Sequence, residues 1–143
     1  MPVETYLTRS EEETISLGQA LARRLPRRAV VLLIGNLGAG KTTLAKGIVK
    51  GLSVAEPEEV SSPTFTLIYE YSPACYHIDL YRLDEEREVE TLGLEEIFEK
   101  EAVVLVEWGE RFPRLMPKER VEINLEHQSE DARRITVTPI PNS

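Results

Sequence analysis

The sequence predicts an α/β fold, a mostly parallel sheet flanked by helices with antiparallel strands added near the C-terminus, and three observations carry that expectation. Ala29–Ile34 and residues 102–106 are continuous apolar runs, the pattern of strands buried on both faces of a parallel sheet. Two other stretches carry apolar residues at helical spacing. Toward the end, Val121, Ile123 and Leu125 alternate with Glu122, Asn124 and Glu126, and Ile135 and Val137 repeat that half-buried pattern after a polar loop. These last two segments are expected to close the sheet as an antiparallel pair.

Taken in order, the first helix is expected over residues 11–24. Ser10 offers an N-cap hydroxyl with Glu13 three residues on, and Ile15, Leu17, Leu21, Ala22 and Leu25 supply an apolar stripe until Pro26 stops it. The central strand Ala29–Ile34 follows, then a Gly-rich loop. A second helix places Leu44, Ala45, Ile48, Val49 and Leu52 on one face and Lys46 and Lys50 off it, with Gly47 and Gly51 as weakening residues. Residues 65–71 and 75–80 flank Ser72-Pro73-Ala74 as a hairpin, and residues 94–100 read as a short helix before the second buried strand. No repeat, low-complexity tract or long linker divides residues 1–143, which read as one domain with a frayed Pro-Ile-Pro-Asn-Ser tail.

A chain of 143 residues lies within the roughly 100–200 expected of a single core. Its net charge of −8 argues against a broad basic surface that would hold nucleic acid unaided. Cys75 is the only cysteine, which excludes an internal disulfide. No basic start followed by an apolar stretch is present, and no apolar run approaches the roughly 20 residues that span a bilayer. The expectation is a soluble, cytoplasmic protein.

Residues 35–42, Gly-Asn-Leu-Gly-Ala-Gly-Lys-Thr, fit G-x-x-x-x-G-K-[ST] between a buried strand and a helix N-terminus, where a phosphate-binding loop has to be. Glycines let the backbone wrap phosphates, and its N–H groups and the helix dipole favour negative charge. Lys41 would reach the outer phosphates and Thr42 would put its hydroxyl on magnesium. The metal also calls for an acid beyond a strand's carboxyl end. Glu107 directly follows the run 102–106 and reads as that acid or as a rim charge, while Asp79 would serve the metal's water shell, orient the attacking water, or cap a turn. Thr64, in Ser61-Ser62-Pro63-Thr64, either reaches the γ-phosphate or magnesium or belongs to a Ser-Pro turn. Arg23, Arg24, Arg27 and Arg28 suit a helix C-terminus, His77 and His127 read as structural or exposed residues, and Trp108 as core or as a neighbour of the nucleotide.

Gly-Asn-Leu-Gly-Ala-Gly-Lys-Thr-Thr at 35–43, Ser-Pro-Thr-Phe at 62–65, His-Ile-Asp-Leu-Tyr-Arg-Leu at 77–83 and Val-Glu-Trp at 106–108, in series, resemble the TsaE (YjeE-type) P-loop ATPase family of bacterial tRNA threonylcarbamoyladenosine biosynthesis. The similarity spans nearly the whole chain, including Leu17-Gly18 and Leu92-Gly93. It implies a P-loop NTPase-like domain that uses ATP and Mg2+. The implied partners are a carbamoyltransferase subunit and its paralogous companion, with tRNA met only indirectly through that complex. By the same resemblance Thr42 and Glu107 match the magnesium ligands, and Asp79 matches an acid needed for hydrolysis. Gly38, Ala39, Gly40, Lys41, Thr42 and Thr43 match the phosphate-binding run, and Glu11 and Arg133 fall where the family touches the nucleotide away from the phosphates. Asn36 stands where many members carry Asp.

Other classes remain open to the sequence: a small-molecule kinase, which needs an acceptor pocket and a lid that only residues 83–101 could supply, or a nucleotide-dependent binding switch with little turnover. The absence of an Asn-Lys-x-Asp-like base reader argues against guanine specificity.

Overall fold

The computed structural model describes residues 2–61 and 67–141. Expectations for Thr64 and for the first residues of the strand 65–71 lie outside the described residues. The strands are β1 (Glu4–Thr8), β2 (Ala29–Ile34), β3 (Ile68–Ser72), β4 (Cys75–Asp79), β5 (Val103–Glu107), β6 (Arg120–His127) and β7 (Arg133–Ile140). The helices are α1 (Glu11–Ala22), α2 (Lys41–Gly51), α3 (Glu86–Glu90) and α4 (Leu94–Phe98).

One seven-stranded sheet runs in the order β1-β7-β6-β2-β5-β4-β3. At its centre β2 pairs parallel with both β5 and β6, and β5 pairs parallel with β4. The margins are antiparallel: β3 on β4, β7 on β6, and β1 on β7. The result is the α/β class the sequence predicts, with helices over the parallel centre and the expected β6–β7 pair toward one edge.

The apolar runs divide by strand alternation. Val31 and Leu33 of β2 and Val103 and Leu105 of β5 join one core with Leu44, Ile48 and Val49 of α2 and Leu21 of α1. Val30, Leu32, Val104 and Val106 face the other way, into a second core with Val89, Leu94 and Phe98 of α3 and α4 and Phe112 and Met116. Continuous apolar strands are required because both faces are covered. On β4 the same alternation puts Cys75 in the first core and Tyr76 and Ile78 in the second. His77, Asp79 and Glu107 therefore occupy register positions on the α2 side of the sheet.

The glycines that weaken α2 as an isolated helix have a packing role. A Cβ on Gly47 would stand 2.1 Å from the Ile15 carbonyl oxygen, and one on Gly18 would stand 2.6 Å from that of Leu44. The two helix backbones touch at this crossing, and no side chain fits between them.

Several boundaries differ from expectation. Helix α1 stops at Ala22, with Arg23 as its C-cap in helical dihedrals. Strand β1 is legible only once β7 is there to pair with it, since five residues with one Leu carry too little pattern. Helix α3 is a single turn held locally: Glu88 Oε1 accepts the backbone N–H groups of Asp84 and Glu85, at 3.0 and 2.9 Å. Strand β5 runs one residue past the apolar stretch, so that Glu107 is its last member and pairs with Leu33 and Asp79 in register.

Candidate nucleotide-binding site

Strands β2, β4 and β5 end side by side, and their carboxyl ends carry the 35–40 loop, Asp79 and Glu107 respectively. Ligands of open α/β sheets collect at this edge. A cleft of ≈ 470 Å³ lies there. Lys41, Thr42, Thr43, Asp79 and Glu107 line it, with Gly38 and Gly40 of the loop; Glu11 and Arg133 stand on its wall as well. Ala39 does not line it; its side chain is turned into the first core. Lys41, Thr42, Thr43, Asp79, Glu107, Glu11 and Arg133 thus share one space, while Thr64 lies outside the described residues.

The loop leads into α2 through Gly40, whose φ of 103° lies in the left-handed region that suits glycine. No side chain caps this helix, in contrast to α1, where Ser10 Oγ accepts the Glu13 N–H at 3.1 Å. The first N–H groups of α2 are thus left for an anion, and the helix dipole adds to the attraction. Gly35 is needed for a different reason: a Cβ there would meet the Leu125 carbonyl oxygen at 2.7 Å, because the loop packs directly on β6.

Lys41 is only 5% exposed. Its ammonium donates to the Gly35 carbonyl at 2.8 Å and lies 3.7 Å from the centre of the Trp108 ring, a cation–π contact. Burial holds its pKa below the ordinary 10.5, against the opposing pull of the Glu107, Glu110 and Asp79 carboxylates. Trp108 reaches this position because the chain turns sharply after β5: its φ is 67°, a left-handed conformation that costs a bulky residue about 1–3 kcal/mol. Tyr81 stands beside it, with the ring centres 5.2 Å apart.

Glu107 is positioned from behind. His77, fully buried, donates from Nε2 to Glu107 Oε2 at 2.6 Å. The Tyr71 hydroxyl lies 3.2 Å from His77 Nδ1. Burial pushes the Tyr71 phenol upward, so it keeps its proton, and the three side chains form one ordered chain. One carboxylate oxygen is thereby committed to His77, which leaves the other for the cleft. Asp79 accepts the Tyr81 N–H at 2.9 Å, which ties the carboxylate to the turn that follows β4.

Arg111 holds that turn in place. Its guanidinium nitrogen donates to the carbonyls of Leu80, Tyr81 and Leu83 at 2.6, 2.8 and 2.9 Å, and its plane lies near Trp108 and Tyr81. Glu110 beside it keeps a buried Oε1 without a hydrogen-bond partner, and burial raises its carboxyl above the ordinary 4.5. Sequence reasoning missed Arg111 and Glu110, and it gave His77 no function. A signal for His77 was present: it precedes Asp79 by two residues on one strand, the spacing that puts both on one face.

A buried strand, a glycine loop running into an uncapped helix, and acids on the adjacent strand ends define the P-loop class of α/β fold. Comparison with known proteins agrees. Residues 8–135 match the family described as threonylcarbamoyl adenosine biosynthesis protein TsaE. The chain is 44% identical over 136 residues to a tRNA threonylcarbamoyladenosine biosynthesis protein TsaE from Nostoc sp., covering 90% of this chain and 82% of that one. It is 40% identical over 140 residues to the Bacillus subtilis protein of the same name, covering 96% and 86%. The crystal structure of Bacillus subtilis YdiB superposes with a TM-score of 0.78 at 33% identity, over 96% of this chain and 86% of that chain. The chain belongs to the TsaE family.

Proposed function

We propose that the chain binds Mg-ATP in the cleft at the ends of β2, β4 and β5 and hydrolyses it slowly, in support of threonylcarbamoyladenosine formation in tRNA next to the anticodon. The observation that carries this reading is the convergence of Lys41, Thr42, Asp79 and Glu107 on one cleft at the head of an uncapped helix. In this reading Lys41 leaves the Gly35 carbonyl and the Trp108 face for the outer phosphates, and the N–H groups at the start of α2 take the inner ones. Thr42 and Glu107 hold magnesium, and Asp79 orients the attacking water. Among the described residues no cluster of three or more His, Cys, Asp or Glu forms a metal cage. The set of one fixed carboxylate and one hydroxyl suits magnesium, which takes its remaining oxygens from water and phosphate. When bound, the ion neutralises charge on the phosphates being separated.

Glu11 and Arg133 stand at the end of the cleft away from Glu107, where it continues into a smaller hollow of ≈ 270 Å³ lined also by Ser10 and Thr43. They suit the sugar and base of the nucleotide. The kinase alternative is weakened by α3 and α4, whose Val89, Leu94 and Phe98 are packed into the second core and so do not form a separate lid. The partners in this proposal are the carbamoyltransferase subunit and its paralogous companion, and the setting is the cytoplasm. Among the described residues no helix is long and apolar enough to cross a membrane.

The test is phosphate release from ATP and GTP, with the chain alone and with both partners, for the wild type and for Lys41→Ala. Slow release from ATP, faster with partners and abolished by the substitution, is the expected result. Calorimetry showing wild-type ATP affinity in Lys41→Ala would overturn the site.

A further inference from the structure

The phosphate loop is braced by the tip of the β6–β7 hairpin. His127, the last residue of β6, pairs in register with Arg133, the first of β7. His127 Nε2 lies 2.6 Å from the Gly38 carbonyl oxygen, and Arg133 Nε donates to the next carbonyl, that of Ala39, at 3.0 Å. A carbonyl only accepts, so Nε2 is the donor in the Gly38 contact, the shorter of the two that the ring makes; Nδ1 lies 3.4 Å from the Ser129 carbonyl oxygen. His127 does not line the cleft, and nothing in the proposed chemistry uses it.

The contact acts on a segment that needs bracing. Gly38 and Gly40 both have positive φ, at 79° and 103°, and a Cβ on Gly38 would have no atom within 4 Å, so packing does not restrain that residue. What restrains the peptide between Gly38 and Ala39 is hydrogen bonding at both ends: its oxygen on His127 and its N–H on the Asn36 carbonyl at 3.0 Å. The following peptide has its oxygen on Arg133, which in a trans peptide turns the Gly40 N–H to the opposite side of the loop. A loop already fixed in this way loses less conformational entropy when phosphates bind.

We propose that His127 is a positioning residue for triphosphate binding: from the hairpin tip it latches the Gly38 carbonyl and sets the conformation of the phosphate loop before ligand arrives. This rests on the nucleotide reading of the cleft. Its readout is affinity rather than chemistry, since His127 acts through the loop and touches no reacting atom.

The experiment uses the full chain and the variants His127→Phe, His127→Gln and His127→Asn. Mg-ATP titration calorimetry, turnover at saturating ATP, thermal melting, and amide exchange of the ligand-free loop are measured for each. Gln carries an N–H at about the reach of Nε2, and Asn falls one bond short. The expectation is that Phe and Asn weaken Mg-ATP about tenfold, which corresponds to about 1.4 kcal/mol, while Gln stays within about threefold. Turnover at saturation and melting are expected to hold, and the Ala39 amide is expected to exchange faster in Phe and Asn than in the wild type. Wild-type affinity and exchange in His127→Phe would overturn the latch and leave the nucleotide reading intact. Equal losses in Gln and Phe would also overturn it, because the donor would then not be what matters. A wild-type chain that takes no triphosphate would overturn the nucleotide reading and the affinity claim together, and the exchange result would still decide whether His127 orders the loop.

Discussion

Two acidic side chains, Asp79 and Glu110, show how burial assigns different tasks to the same chemistry. The Asp79 carboxylate is oriented by the Tyr81 N–H on the wall of the cleft, so Asp79→Asn keeps its shape and hydrogen bonding and loses only its charge. ATP binding is expected to persist while hydrolysis falls about 10²-fold or more, the usual loss for one positioned catalytic group. Comparable losses in affinity and turnover, measured by calorimetry and phosphate release, would make Asp79 structural. Glu110 is half-buried and does not line the cleft, and its Oε1 is covered. Burial raises its pKa above 4.5, so the folded chain holds that proton more tightly than the unfolded chain does. The resulting stability is fully present below the unfolded value and is lost as pH rises through the raised folded value. Glu110→Gln is neutral throughout, so its urea stability relative to the wild type should be lowest well below pH 4.5, where both chains are uncharged at this position, and should rise as pH increases to 7. A difference that does not change with pH would remove burial as the cause.

Among the elements, the crossing of α1 and α2 places the phosphate loop, because α2 begins where that loop ends. Helix propensity alone favours Ala over Gly by about 1 kcal/mol, but overpacking costs about 1–3 kcal/mol. At Gly47 the added Cβ would sit 2.1 Å from a backbone oxygen, which no side-chain rotation relieves. The packing term therefore wins, and Gly47→Ala should lower urea stability by about 1–3 kcal/mol. A gain in stability would mean the helices can separate at no cost. The two buried strands, the loop between β2 and α2, and the β6–β7 pair were legible in the sequence because each carries a periodic or motif signal of its own. Strand β1 and helix α3 were not, since one depends on a partner strand some 130 residues away and the other on two backbone hydrogen bonds to Glu88. The site followed the same rule. Lys41, Thr42, Asp79 and Glu107 could be placed from strand ends and a motif, whereas Arg111 and His127 act on backbone carbonyls 28 to 31 and 89 residues distant, contacts that leave no trace in local spacing.

For the whole molecule, charge and cation placement set what the chain achieves alone. With 25 acidic against 17 basic residues and a net charge of −8, the composition argues against unaided nucleic-acid affinity, so under the proposed function tRNA is expected to reach it only through a protein partner. Hydrolysis faces a related shortage. A P-loop site without an inserted arginine can turn over as slowly as about 10⁻³ to 10⁻⁴ per second, and an arginine supplied in trans adds about 10³ to 10⁵. Arg111 is close to the cleft, yet its guanidinium already serves three carbonyls of the turn after Asp79. Releasing it to act on phosphate would cost the turn that orients Asp79. Arg82 is exposed in that same turn and is equally placed to meet a partner. Under the proposed function the chain alone is expected to hydrolyse ATP slowly, and the proposed carbamoyltransferase partners are expected to bind it near residues 79–83 and accelerate it. Pull-down with purified partners, with and without ATP, and phosphate release in the same mixtures measure both parts. Turnover of several ATP per second by the chain alone, unchanged by partners that fail to bind, would sink the assembly reading and return the small-molecule kinase as the better one.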